Sequence, residues 1–399
     1  MSVSDAPFGD FFGPQMPAHL YLHVPFCSSK CSYCDFFSTA DADSQDIFAV
    51  FSGMQAEIRR WGMSALPGVV ETVYVGGGTP SLHAAPVAGL LERAASDLPL
   101  RKGAEITVEA NPDSLTDASL ESLLQAGANR ISVGVQAFDD RVLRLLGRTH
   151  DARQARQAAS RVHEAGCELS VDLICGVPGQ RMASWVESLE EAIDTGARHL
   201  SVYPLAIEDG TPLAAAISGG IVESPDADMA ADMMLVAEEY LGRSGLLRYE
   251  VANYAKPGHE SRHNTAYWTG RSYIGCGPAA HGMLEAETAR AVGLHVPSQD
   301  EDVGRVRYSN IADIQGWLTG KPGEVEVLSA SEAAREDVML GMRLTHGVAA
   351  GAITSAGLDL VLAALEADGL VERDSGRWRS TTRGWLLGNE VFGRIWNAE

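Results

Sequence analysis

At 399 residues the chain exceeds the usual size of one domain, and a composition of 45% hydrophobic and 21% charged residues excludes a disordered protein. The formal charge of -22 excludes a long nucleic-acid footprint, which needs clustered Lys and Arg. No apolar run approaches the roughly 18 to 20 residues of a bilayer span, residues 1–18 lack the parts of a signal peptide, and three of the six cysteines crowd into positions 27–34, so a reduced, cytoplasmic protein without stable membrane insertion is expected.

Residues 1–18 read as a flexible N-terminus. From 19 to 255, short β-branched or aromatic runs alternate with amphipathic stretches, the pattern of repeated βα units on a parallel sheet. Strands are predicted at 19–26, 71–76, 105–110, 130–136, 168–174 and 199–204, with helices at 45–61, 86–95, 115–126, 154–165 and 185–194. Six units predict an α/β fold built on a partial (βα)6 barrel. Polar and Gly-rich clusters fall just past the strand ends, where such barrels build their sites: 27–34, 76–81, 109–112, Gln136 and 172–179 all point at one mouth. Residues 256–330 read as an accessory layer, beginning with a Gly-, Tyr- and His-rich stretch. Residues 331–399 show two helical stretches, a hairpin signal at Ser375 and Gly376 and a final helix, the order of a winged-helix-like domain. With seven Arg, no Lys and ten acidic residues, that segment is not expected to bind DNA.

The segment His23-Val24-Pro25-Phe26-Cys27-Ser28-Ser29-Lys30-Cys31-Ser32-Tyr33-Cys34 carries C-x3-C-x2-C directly after a predicted strand. Thiolates hold iron-sulfur clusters, and a cubane used for electron transfer normally takes four. Three on one loop leave one iron without a protein ligand, and an open position is what a metal needs to bind and activate a substrate. A 4Fe-4S cluster on Cys27, Cys31 and Cys34 fits this spacing. Zinc or a coincidental loop is the alternative, although zinc normally takes a fourth Cys or His at a second paired spacing, and the nearest candidate, His23, lies upstream on a strand. Cys167, Cys175 and Cys276 are isolated and read as small core residues.

This loop resembles the radical-SAM cysteine motif. The likeness extends over nearly the whole chain, through Gly76-Gly77-Gly78-Thr79-Pro80-Ser81, Glu109-Ala110-Asn111-Pro112, Gly134-Val135-Gln136, Asp172-Leu173-Ile174, Gly176-Val177-Pro178-Gly179 and His263-Asn264 with Tyr267-Trp268. In these segments the chain resembles the oxygen-independent coproporphyrinogen III oxidase family and its close relatives, the HemW-type haem chaperones. The resemblance implies S-adenosylmethionine at the open iron, in a site lined by Gly77, Gly78 and Thr79 and contacted by Glu109, Gln136, Arg148 and Asp172. Physically, the glycines offer backbone groups unobstructed by side chains, and the two carboxylates accept hydrogen bonds from ribose hydroxyls or an amino group. Tyr33 is placed to stack on adenine. Tyr21 sits where the family has a tyrosine near the cofactor, and core packing is its other reading. Reductive cleavage in such a site gives methionine and a 5'-deoxyadenosyl radical, chemistry that belongs to the cofactor.

The two relatives differ in ways this sequence can be read against. The oxidase carries a further cysteine, C-x3-C-x2-C-x-C, where Phe36 stands here, and a longer segment before its first strand, whereas about 18 residues precede it here. His263-Asn264-Thr265-Ala266-Tyr267-Trp268 resembles the H-N-x-x-Y-W motif of the chaperone branch, implicated there in haem binding. Imidazole is a common axial ligand of haem iron, while a lone His beside Tyr and Trp is more often a hydrogen-bonded packing residue. His259 and His281 are nearby alternatives. The expected function is a haem chaperone holding haem, a 4Fe-4S cluster and S-adenosylmethionine and delivering haem to acceptors such as respiratory enzymes, with a homodimer as one assembly open to it. The alternative is a coproporphyrinogen III oxidase acting by oxidative decarboxylation in haem (porphyrin) biosynthesis. A third class, an iron-sulfur transcription regulator, is disfavoured by the acidic balance.

Overall fold

The computed structural model describes residues 14–296 and 302–398. Six strands, β1 (His19–Val24), β2 (Val70–Gly77), β3 (Leu100–Ala110), β4 (Arg130–Gln136), β5 (Glu168–Cys175) and β6 (His199–Pro204), lie side by side in parallel. A parallel sheet buried on both faces reads as continuous apolar runs. These strands instead alternate with period two, so each contributes one apolar and one polar face. Leu20, Leu22, Val73, Val75, Ile131, Val133, Leu169, Val171, Leu200 and Val202 are all buried against the covering helices, among them Ser44–Met63, Ala84–Asp97, Ala152–Glu164 and Met182–Asp194. The register places the intervening residues together on the opposite face: His19 beside Thr72, Tyr21 beside Tyr74, Thr107 beside Arg130, Glu109 beside Ser132, and Asp172 beside Ser201.

The first strand stops at Val24, two residues short of the predicted end, because Pro25 has no N–H to continue the ladder. Of the segment 1–18 expected to be flexible, residues 1–13 lie outside the described residues. Gln15 and Met16 are tied down, the Gln15 N–H donating to Thr288 Oγ1 at 2.9 Å and the Met16 N–H to the Pro67 carbonyl at 2.7 Å.

Beyond the parallel strands, β7 (Leu247–Arg248) and β8 (Asn253–Ala255) add an antiparallel edge next to β6. Residues 256–330 continue the same sheet from its other side. Here β9 (Tyr273–Cys276) runs parallel to β1, and β10 (His281–Glu285), β11 (Arg305–Ser309) and β12 (Glu324–Leu328) follow antiparallel. Among the described residues the order β12-β11-β10-β9-β1-β2-β3-β4-β5-β6-β8-β7 leaves two free ends, an open sheet.

The C-terminal residues build a second core of Val338, Ile353, Leu362, Leu365, Trp378 and Ile395 around a small sheet of β13 (Val348–Ala349), β14 (Val371–Asp374) and β15 (Arg377–Ser380). The predicted hairpin forms at Ser375 and Gly376, both at positive φ, the two-residue turn whose twist matches the flanking strands. Buried Arg305 of β11 fastens this module to the large sheet, pairing with Glu336 and Asp337 at 2.6 Å each. Among the described residues no helix is long and apolar enough to cross a membrane.

Candidate cofactor site

The cysteine loop leaves β1 and returns to it. The Cys27 N–H donates to the Thr39 carbonyl at 3.0 Å, and the Thr39 N–H to that of Pro25 at 2.8 Å. Ser32 anchors the middle of the loop, its N–H donating to the Leu146 carbonyl at 3.1 Å and its hydroxyl to that of Leu145 at 2.8 Å. Cys27, Cys31 and Cys34 are half-buried free thiols. The Thr79 hydroxyl donates to Cys27 Sγ at 3.6 Å and Arg148 Nη1 to Cys31 Sγ at 3.4 Å. Burial pushes the Cys34 thiol up, and negative charge on Cys31 and Cys27 adds to the shift. Among the described residues no three His, Cys, Asp or Glu side chains gather as ligands of a single ion. A cubane differs from zinc in this respect, taking one thiolate on each of several separate irons, and hydrogen bonds to its cysteine sulfurs tune it. The loop, with a hydroxyl and a guanidinium already aimed at two of its sulfurs, fits such a cluster.

The glycine run after β2 is shaped by the protein itself. A Cβ on Gly77, whose φ is +108°, would come within 2.7 Å of the His23 ring, and one on Gly78 within 2.5 Å of the Phe26 carbonyl oxygen. The N–H groups of Gly78 and Thr79 donate to the Val24 and Phe26 carbonyls at 2.8 and 2.7 Å. The run is glycine because the stem of the cysteine loop presses on it, and pairing with an amino group falls to its carbonyl oxygens.

Around it the polar face of the sheet forms a chamber. Tyr21, Tyr74, Glu109, Gln136, Arg148 and Asp172 are each partly accessible, while their apolar strand neighbours are buried. Tyr74 donates to Glu109 Oε1 at 2.7 Å. Burial raises the Glu109 carboxyl to about 7 and the Asp172 carboxylate adds to this, against the hydrogen bonds from Tyr74 and the Gly77 N–H. Ser132 donates to both oxygens of Asp172 at 3.1 Å, and burial holds that carboxyl above its usual range. Gln136 lies at φ +65°, where the β4–β5 register shifts, a left-handed backbone of the kind that collects at functional sites. Arg148 Nη2 donates to Asn111 Oδ1 at 2.7 Å and to the Gly134 carbonyl at 2.8 Å. Tyr33 packs against a small apolar cluster that includes Ala137, Leu146 and Val177, and Tyr21 donates to His23 Nδ1 at 3.0 Å. Tyr74 and Ser132 escaped the sequence reading, which took His23 only as a candidate zinc ligand and Asn111 only as part of the segment 109–112. Tyr74 and Ser132 lie on the same alternating face as Tyr21, which was the signal available.

Residues 21–192 match the Radical SAM superfamily and residues 328–387 the HemN C-terminal domain. A protein of Mycobacterium tuberculosis named heme chaperone HemW is 34% identical over 95% of this chain and 94% of its own length. The chain belongs to the HemW family. Another heme chaperone HemW, of Lactococcus lactis subsp. lactis, is 33% identical over 95% of this chain and 97% of its own. The solved structure of coproporphyrinogen III oxidase (HemN) from Escherichia coli, a radical SAM enzyme, matches with a TM-score of 0.77 over 97% of this chain and 91% of that one, at 22% identity. The α/β radical SAM fold thus runs through this HemW-family chain.

His263 stands apart from the chamber's mouth. It opens the helix Arg262–Trp268 beneath the N-terminal ends of the strands, away from the cysteines. Its Nδ1 meets Thr72 Oγ1 at 2.7 Å and its Nε2 the Tyr267 hydroxyl at 3.0 Å, and its ring stacks on Tyr74 at 5.1 Å. Burial holds it well below the usual histidine range, so it is neutral. The sequence presents it as a ligand for haem iron, but both ring nitrogens are engaged within the HemW-family fold. His259 bonds Glu168 at 3.2 Å, whereas His281 is exposed at the start of β10.

Proposed function

We propose that this chain is a haem chaperone that carries a 4Fe-4S cluster on Cys27, Cys31 and Cys34, takes S-adenosylmethionine beside it, and binds haem for delivery to acceptor proteins. The observation that carries this reading is the near full-length likeness to proteins named heme chaperone HemW. Phe36, 69% exposed, agrees with it, standing where the oxidase has its further cysteine. In this proposal the carbonyls of Gly77 and Gly78 would accept from the cofactor's amino group, and Arg148 and Thr79 would complete the wall that holds it. Glu109, Gln136 and Asp172 accept or donate to the amino group and ribose, and Tyr33 and Tyr21 flank the remainder. When bound, cluster and cofactor supply the one-electron chemistry of the superfamily. His263 reaches haem iron once Tyr267 releases Nε2.

The test offers the anaerobically reconstituted protein haem with an apo-acceptor and, separately, coproporphyrinogen III with S-adenosylmethionine and a reductant. Haem uptake and transfer are expected, without carbon dioxide release. His263→Ala is expected to impair uptake more than His259→Ala or His281→Ala, and Tyr267→Phe, which frees Nε2, to raise it. Multi-turnover formation of protoporphyrinogen IX would restore the oxidase reading.

A further inference from the structure

Five aromatic rings cross the interior of the sheet in unbroken contact. Tyr267 meets His263 edge-on at 4.9 Å, His263 stacks on Tyr74 at 5.1 Å, Tyr74 stacks on Tyr21 at 6.2 Å, and Tyr21 lies 5.9 Å from His23. His23 Nε2 then donates to the Phe37 carbonyl at 2.9 Å, three residues past Cys34. Tyr74 is the branch point, because its hydroxyl leaves the column to donate to Glu109 Oε1 at 2.7 Å. A ring stacked on two neighbours holds its hydroxyl in one place, so the Glu109 carboxylate is set by how tightly the helix Arg262–Trp268 is seated.

We propose that Tyr74 is a positioning residue for the cofactor chamber, holding Glu109 in place and carrying to it the packing of the helix Arg262–Trp268. The inference rests on the reading that Glu109 contacts S-adenosylmethionine. It gives the H-N-x-x-Y-W segment a task inside the fold, since His263 and Tyr267 brace Tyr74 from below. The titratable groups facing Glu109 are Tyr21, Tyr74, Asp172, Tyr203 and Tyr267. Of these, Tyr74 and the Gly77 N–H favour the ionised carboxylate by hydrogen bonding, and Asp172 opposes it.

The experiment titrates Glu109 by isotope-edited infrared spectroscopy in the full chain without cofactor, and measures S-adenosylmethionine affinity after cluster reconstitution. Tyr74→Phe keeps the ring stack and removes the hydroxyl. It is expected to raise the Glu109 midpoint by about half to one pH unit. Its affinity at pH 7 is expected to fall about tenfold, the effect of a hydrogen bond to a charged group, with iron content unchanged. Tyr267→Phe is expected to shift both in the same direction by less. Tyr254→Phe, which removes a buried hydroxyl on β8, outside the column of rings, is the control and should move neither. An unshifted midpoint in Tyr74→Phe, or an equal shift in Tyr254→Phe, overturns the positioning role alone. Failure of the unaltered protein to bind S-adenosylmethionine overturns the cofactor reading on which the role depends.

Discussion

Two carboxyls show what burial does to single residues in this protein. Glu250, fully buried, accepts from the Ala252 N–H at 3.1 Å, and burial lifts it to about 7 against the hydrogen bonds of neighbouring backbone N–H groups. An unfolded glutamate titrates near about 4.3. Between these values the folded chain holds a proton that the unfolded chain releases, so the contribution is present below the unfolded value and is lost as pH rises to about 7. The loss amounts to at most about 4 kcal/mol. Glu250→Gln removes this slope. Thermal melts are expected to show the variant more stable than the parent at pH 8 by about 1–3 kcal/mol, and the two converging near pH 4.5. A parent whose stability does not fall across this window relative to the variant would contradict the shift. Asp172, by contrast, is held by Ser132 in the chamber. Asp172→Ala is expected to weaken the cofactor-induced change in the reduced cluster's spectrum about tenfold while iron content stays constant, which metal analysis beside spectroscopy would check.

At the scale of elements, the cysteine loop depends on what packs behind it. Gly147, at φ +70°, lies so close that a Cβ would come within 2.9 Å of the Ser32 nitrogen. Gly147→Ala is strained in its backbone and pushes the loop that carries Cys31 and Cys34. It is expected to lose iron faster in air than the parent with unchanged circular dichroism; equal rates of bleaching would refute this. The six parallel strands were legible in the sequence because alternation of Leu20, Leu22 and Val24 with His19, Tyr21 and His23 survives any choice of partner. The strands β7 to β12 were not, being two to five residues long, with a glycine inside β9 and β10. Their pairing is decided by the sheet edge they meet, a tertiary effect no local pattern carries. The cysteine loop and Glu109, Gln136 and Asp172 were legible as strand-end residues. The seat of His263 was not, since a motif does not say which end of a sheet its helix covers, and that depends on Thr72 and Glu105, more than 150 residues upstream.

For the whole molecule, the joint between the two cores rests on charge. Arg305 is shared by Glu336 and Asp337, and Arg307 reaches Glu336 at 2.8 Å. Arg305→Ala leaves Glu336 buried with one partner fewer, and denaturant unfolding is expected to show a loss of about 3–5 kcal/mol. Replacing Arg305 and Glu336 together by Met is expected to recover most of it, because a buried pair often breaks even with apolar groups of similar volume. If the double variant is no better than the single one, the pair does not act as a unit. The open ends of the sheet also bear on how copies of this protein meet. Among the described residues the outermost strand β12 has no neighbour on its outer side, and Val325 is exposed between Glu324 and Glu326. Two such strands laid edge to edge would set acidic side chains against each other, a natural guard against fibrous stacking that also adds to the repulsion of a chain carrying -22.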